Sequence, residues 1–95
     1  MAAYAVFIRE RMRDAESMKI YFDGVPATLE GHEVVGRSRD GALDMLEGAA
    51  LESVVILEFP SMEAARAWYD SPAYQTLRQR RFLAADYRAF IVEGA

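Results

Sequence analysis

The sequence has no cysteine, a single histidine and three prolines. Without thiols there is no disulfide, no thiolate nucleophile and no Cys-ligated zinc or iron–sulfur cluster. The lone histidine narrows metal chemistry further. His32-Glu33-Val34-Val35-Gly36 begins like a zinc-protease helix but has Gly36 where the second imidazole ligand must stand. No metal and no cofactor are expected; a lone axial haem ligand is the most His32 offers, and a capping or surface role accounts for it as well. Long apolar runs are also missing. The apolar opening from Tyr4 to Ile8 is cut by Arg9, Glu10 and Arg11, so neither a membrane span nor a signal peptide is expected, and the cytoplasm is the default compartment. There is no glycine-rich phosphate loop, and Gly36-Arg37-Ser38-Arg39-Asp40 lacks the last glycine of a nucleophile elbow. Positive charge is scarce too. The net charge is -4, and the only basic run is Arg78, Arg80 and Arg81, which falls short of a nucleic-acid footprint.

Apolar side chains, by contrast, are plentiful: 53% of the 95 residues are hydrophobic. A chain this short supports one core, so a single domain over residues 1–95 is expected. Residues 3–9 are β-branched and aromatic and too few for a helix, and they read as a strand with Tyr4, Val6 and Ile8 on one face and Ala5 and Phe7 on the other. Asp14 is a good N-cap, and Met18, Tyr21, Phe22, Val25 and Leu29 follow at helical spacing. Pro26 removes an amide, which predicts a kink or an early stop. Asp40-Gly41 between Val34-Val35 and Leu43 to Met45 predicts an irregular hairpin over residues 33–47. Residues 53–59 form the strongest strand, apolar on both faces and therefore central. Ser61 caps a helix whose inner face is Ala64, Ala65 and Trp68; Ser71-Pro72 restarts the chain as a second short helix to about Ala84, and residues 87–92 form the last strand.

Strand, helix, strands, helix pair, strand is the order of an α+β, ferredoxin-like split β-α-β domain: an antiparallel sheet with helices on one face. Such helices cover one side only. Strands apolar on both faces leave a bare patch that a second copy, packed sheet to sheet, would bury, so a homodimer is expected.

The run Phe59-Pro60-Ser61, then Ala64-Ala65, then Trp68-Tyr69-Asp70-Ser71-Pro72-Ala73-Tyr74, with Arg81 and the closing Glu93-Gly94, resembles the uncharacterised family known as domain of unknown function 1330. Ala3-Tyr4, Asp14, Tyr21 and Leu46-Glu47-Gly48 extend the resemblance over nearly the whole chain. It departs at Glu30-Gly31-His32-Glu33, where that family more often shows a pair of glycines. The resemblance implies a dimeric α/β barrel in which two ferredoxin-like sheets close on each other. Related barrels include cofactor-free monooxygenases, isomerases of small lactones and haem-dependent enzymes, and fold analogy does not choose among them.

Arg81 shares a helical face with Tyr74 and Leu77, so its guanidinium points inward and needs an anion. One reading is structural, an ion pair with Glu47 or Glu58 or a stem lying on the core; the other is capture of a ligand carboxylate or phosphate. Trp68, Tyr69, Ser71 and Tyr74 surround it, with Tyr21 facing them from the first helix. This set is either plain core or the wall of an apolar cleft with a few polar groups. Three functions stay open: binding of a small anionic or aromatic molecule by Tyr21, Glu47, Trp68, Tyr69, Ser71, Tyr74 and Arg81; cofactor-independent, monooxygenase- or isomerase-like chemistry on such a compound; or a pure association module.

Overall fold

The computed structural model describes residues 1–95. Four strands form one antiparallel sheet, in which β1 (Ala3–Met12) pairs with both β3 (Ser53–Phe59) and β4 (Ala85–Glu93), and β2 (Val35–Arg39) pairs with the far side of β3. The spatial order is therefore β2-β3-β1-β4. Burial alternates along β1 as the pleat requires: Ala3, Ala5 and Phe7 are buried, while Tyr4, Val6 and Ile8 are only partly covered. The buried face meets Leu57 and Phe59 of β3 and carries the helices α1 (Ala15–Thr28), α2 (Met62–Tyr69) and α3 (Pro72–Ala84).

Each helix starts where a short polar side chain accepts an otherwise orphaned amide. The Glu16 and Ser17 amides donate to Asp14 Oδ1 at 3.1 and 3.4 Å, the Ala64 amide to Ser61 Oγ at 3.0 Å, and the Tyr74 amide to Ser71 Oγ at 3.3 Å. The Ser17 hydroxyl, donating to Asp14, is the main reason the Asp14 carboxyl lies below its usual range. At Gly24 α1 lies close against α3, because a Cβ there would lie 2.7 Å from Leu77 Cδ1. Pairing along α3 holds α1 to its neighbouring helix more than to the sheet, while α2 rests directly on β1, β3 and β4.

Three sequence expectations need correction. The hairpin is half absent: β2 is its only strand, residues 41–46 have no regular structure, and Leu43, Met45 and Leu46 are exposed. Residues 42–47, Ala-Leu-Asp-Met-Leu-Glu, contain no β-branched residue, so nothing favours the second arm; Asp40 does adopt positive φ (53°), but the turn it makes joins no second strand. Pro26 is accommodated in the last turn of α1, which ends at Thr28. Strand β1 runs past residue 9, bulging between Arg9 and Arg11 to pair Arg11 with Asp86 and Met12 with Ala85. That extension lets β4 begin directly at the end of α3.

The other sheet face has no helix over it. Tyr4, Val6 and Ile8 lie there beside Val54 and Ile56 of β3 and Phe90 and Val92 of β4, with Val35 at the edge. Phe90, Val92 and Val35 are each nearly half exposed, at 49%, 47% and 46%. The apolar second face read from the sequence is present and uncovered within one chain.

Candidate functional site

α1 approaches α3 more closely than the sheet, and a cavity of about 110 Å³ lies beneath it. Tyr21, Phe22, Val25, Pro26 and Leu29 form its roof; Phe7, Val55 and Leu57 form its floor; Trp68 and Tyr87 close its sides, and Arg39 stands at its rim. Its wall is almost wholly apolar and holds no carboxylate and no imidazole.

The aromatic cluster expected from residues 68–74 is real and mostly core. Trp68 is fully buried, stacked on Phe59 at 5.6 Å and tilted against Tyr74 at 4.3 Å, with Phe7 edge-on at 6.0 Å. Its indole Nε1–H donates to Thr28 Oγ1 at 3.1 Å, and Thr28 in turn donates to the Val25 carbonyl at 2.7 Å. A buried indole N–H needs such a partner. Tyr69 is half-buried at the edge of this stack, tilted against Tyr74 at 5.3 Å, and its hydroxyl accepts from Arg78 Nη1 at 3.0 Å. Ser71 acts as the α3 cap and donates its one hydroxyl proton to the Trp68 carbonyl at 2.7 Å. Of the residues singled out in the sequence, only Tyr21 and Trp68 line the cavity; Tyr74 stands one layer behind, and Tyr69 and Ser71 lie beyond it.

Glu47 does not join the site, and Arg81 turns inward as expected but meets no acidic partner. Glu47 is exposed in the loop before β3 and is in no ion pair. Arg81 is 4% exposed, yet neither Glu47 nor Glu58 meets it, since Glu58 is taken by Arg37 at 2.7 Å. Its guanidinium is instead enclosed by the rings of Phe7, Phe82 and Tyr87 at 5.5, 5.2 and 5.1 Å, and its Nε has no hydrogen-bond partner. Aromatic faces stabilise a desolvated cation by roughly 2 kcal/mol, less than a buried charge requires for full compensation. Phe7 and Tyr87 stand between this charge and the cavity.

The Tyr21 and Tyr74 hydroxyls share a 2.7 Å hydrogen bond. Burial pushes the Tyr21 phenol far above its ordinary value near 10, and the neighbouring Tyr74 adds to this. Burial likewise raises Tyr74, with the Arg81 charge opposing, and raises Tyr87, with Arg9 opposing. All three stay protonated at neutral pH and offer O–H donors, not bases. Because the folded phenols hold their protons more tightly than unfolded ones, the unfolded chain is the first to lose them as pH rises past about 10. Their contribution is complete below that pH and is lost above it. Urea unfolding between pH 9 and 11 is expected to show falling stability with a slope that Tyr21→Phe flattens; an unchanged slope in that variant would show that Tyr21 does not carry it.

A second, open groove of about 500 Å³ lies between α2 and β4, with Met62, Tyr69 and Ile91 on its walls. Its cation, Arg66, is already bonded to Asp70 at 2.8 Å. Nowhere do three His, Cys, Asp or Glu side chains converge as metal ligands. Phe7, Tyr87 and Arg39 are not singled out by the sequence: the first two read there as ordinary strand residues, and Arg39 falls within the hairpin expected over residues 33–47.

Solved structures share this architecture. The methylated RPA0582 protein of Rhodopseudomonas palustris is 19% identical, with a TM-score of 0.75 over 99% of this chain and 81% of that one. A dimeric ferredoxin-like protein of unknown function from Thermobifida fusca is 12% identical, with a TM-score of 0.67 over 99% and 92%. SnoaB, a cofactor-independent oxygenase from Streptomyces nogalater, is 9% identical with the same TM-score, 0.67, over 99% and 92%. Likeness at these identities shows the fold alone. No curated protein matches the sequence. The model of the domain of unknown function DUF1330 matches residues 2–95, so the chain belongs to the DUF1330 family, as its Trp-Tyr-Asp-Ser-Pro-Ala-Tyr run had indicated.

Proposed function

We propose that this protein is a homodimer that binds a small aromatic or aliphatic molecule in the cavity beneath α1 of each subunit. The observation that carries the reading is the cavity itself. A void of about 110 Å³ lined by Phe7, Tyr21, Leu57 and Trp68 forfeits packing contacts that its own side chains could make. It is comparable to the apolar cavity of roughly 150 Å³ that admits benzene. A binding role fits the chemistry of the wall better than acid–base turnover, because the wall supplies protonated phenols and no group that exchanges protons near neutrality.

Dimerisation follows from the uncovered sheet face, where Val6 stands between Ile56 and Phe90 across three strands. Two such faces in contact give a dimeric α/β barrel, and solved relatives of this fold from Thermobifida fusca and Jannaschia are dimeric. Sheet-to-sheet association leaves the cavity free, since its lining belongs to the helix-covered side of the sheet. Native mass spectrometry tests subunit number, with a dimer expected. Trp68 is the only tryptophan, so its fluorescence reports the cavity directly. Saturable change on adding one-ring aromatic compounds is expected; no saturable change across a millimolar panel would overturn the binding reading.

A further inference from the structure

We propose that Arg39 captures the carboxylate of a ligand whose ring-sized apolar body fills the cavity, an assignment that rests on the binding reading above. β2 pairs Val35 with Glu58 and Gly36 with Leu57, then skips a residue and pairs Ser38 with Ile56 and Arg39 with Val55. In an unbroken ladder Arg39 would face Val54, on the uncovered side of the sheet. The extra residue turns it to the side of Val55, whose side chain lines the cavity. Residues two apart in a strand normally share a face. Here the bulge separates them: Arg37 reaches Glu58, which alternates with the inward Leu57, while Arg39 reaches the cavity rim. Bulges are a recurrent means of re-aiming a side chain at a site.

The guanidinium placed there is unspent. Arg39 enters no ion pair and no side-chain hydrogen bond, although Arg9, Arg11, Arg13, Arg37 and Arg66 are all paired with carboxylates. Its Nη2 lies 3.9 Å from where a Cβ of Gly36 would stand, so the guanidinium rests above β2 near Gly36. Asp40, the nearest acid in sequence, is turned by its positive φ and accepts the Ser53 hydroxyl. Arg9 is held by Glu52 at 3.0 Å. Behind the cavity wall, Arg81 adds a second cation without a carboxylate, against the same Phe7 and Tyr87 rings that line the void. A dry apolar interior with one free guanidinium at its mouth complements a monocarboxylate on a single ring, with the planar fork of arginine matching both carboxylate oxygens.

Benzoate and its neutral isostere benzamide separate this proposal from the cavity reading. Isothermal titration of the wild-type protein at low salt is expected to show benzoate bound about tenfold more tightly, with the difference shrinking as salt rises. Arg39→Gln is expected to abolish the preference while benzamide affinity stays within about twofold, and Arg80→Gln, an equal change in net charge on α3, is expected to preserve it. Equal wild-type affinities, or a preference that survives Arg39→Gln, would overturn the role of Arg39 and leave the cavity reading standing. Failure of both compounds to bind would overturn the two together.

Discussion

Replacing Trp68 by alanine is expected to remove about 3–5 kcal/mol of folding stability, the cost of deleting a large aromatic from a closed core. Trp68 is 0% exposed and touches rings from three elements: Phe7 of β1, Phe59 of β3 and Tyr74 of α3. It also joins α2 to the end of α1 through Thr28. Removal therefore opens a cavity, leaves the Thr28 hydroxyl without its indole donor and unties α1 from the rest of the helix layer. A domain of this size has roughly 5–15 kcal/mol in total, so the variant is expected to be marginal at 37 °C. Urea denaturation measures the loss, and a change under about 1 kcal/mol would contradict the central place given to this side chain.

The second large effect concerns association. Val6→Asp places a carboxylate in the middle of the uncovered face, flanked by Ile56 and Phe90. In a single subunit that carboxylate faces water. In a sheet-to-sheet dimer each copy is buried without a partner, costing about 4 kcal/mol and raising Kd about a thousandfold. Sizing with light scattering at micromolar concentration is expected to give a dimer for the parent and a folded monomer for the variant. Phe90→Asp, at a position already 49% exposed, supplies an independent check. Dimers that survive both substitutions would place the interface elsewhere.

The difference between what the sequence disclosed and what it concealed is physical. Caps at Asp14, Ser61 and Ser71 and the two-faced apolar strands are local patterns, and the helix starts and the paired strands appear where those patterns place them. The inward turn of Arg81 was equally legible, because helical phase alone decides it. Its surroundings were not. Three rings from β1, α3 and β4 converge on that guanidinium, and convergence of distant segments leaves no trace in spacing. Glu47 illustrates the same point from the other side, since a charge expected at the site lies exposed in a loop. Arg39 was hidden by a single bulge: one unpaired residue reverses which face every later side chain of β2 occupies, and the Arg-Ser-Arg sequence gives no sign of it.

Whether the space beneath α1 holds a ligand is decided at its walls. Methyl NMR of the protein during titration with benzoate tests it most directly, because Val25, Leu29, Val55 and Leu57 line the cavity while Val6, Ile56 and Val92 mark the opposite face of the sheet. Saturable shifts in the first group with the second unmoved are expected; shifts confined to the second group, or none in either, would rule out a ligand site beneath α1.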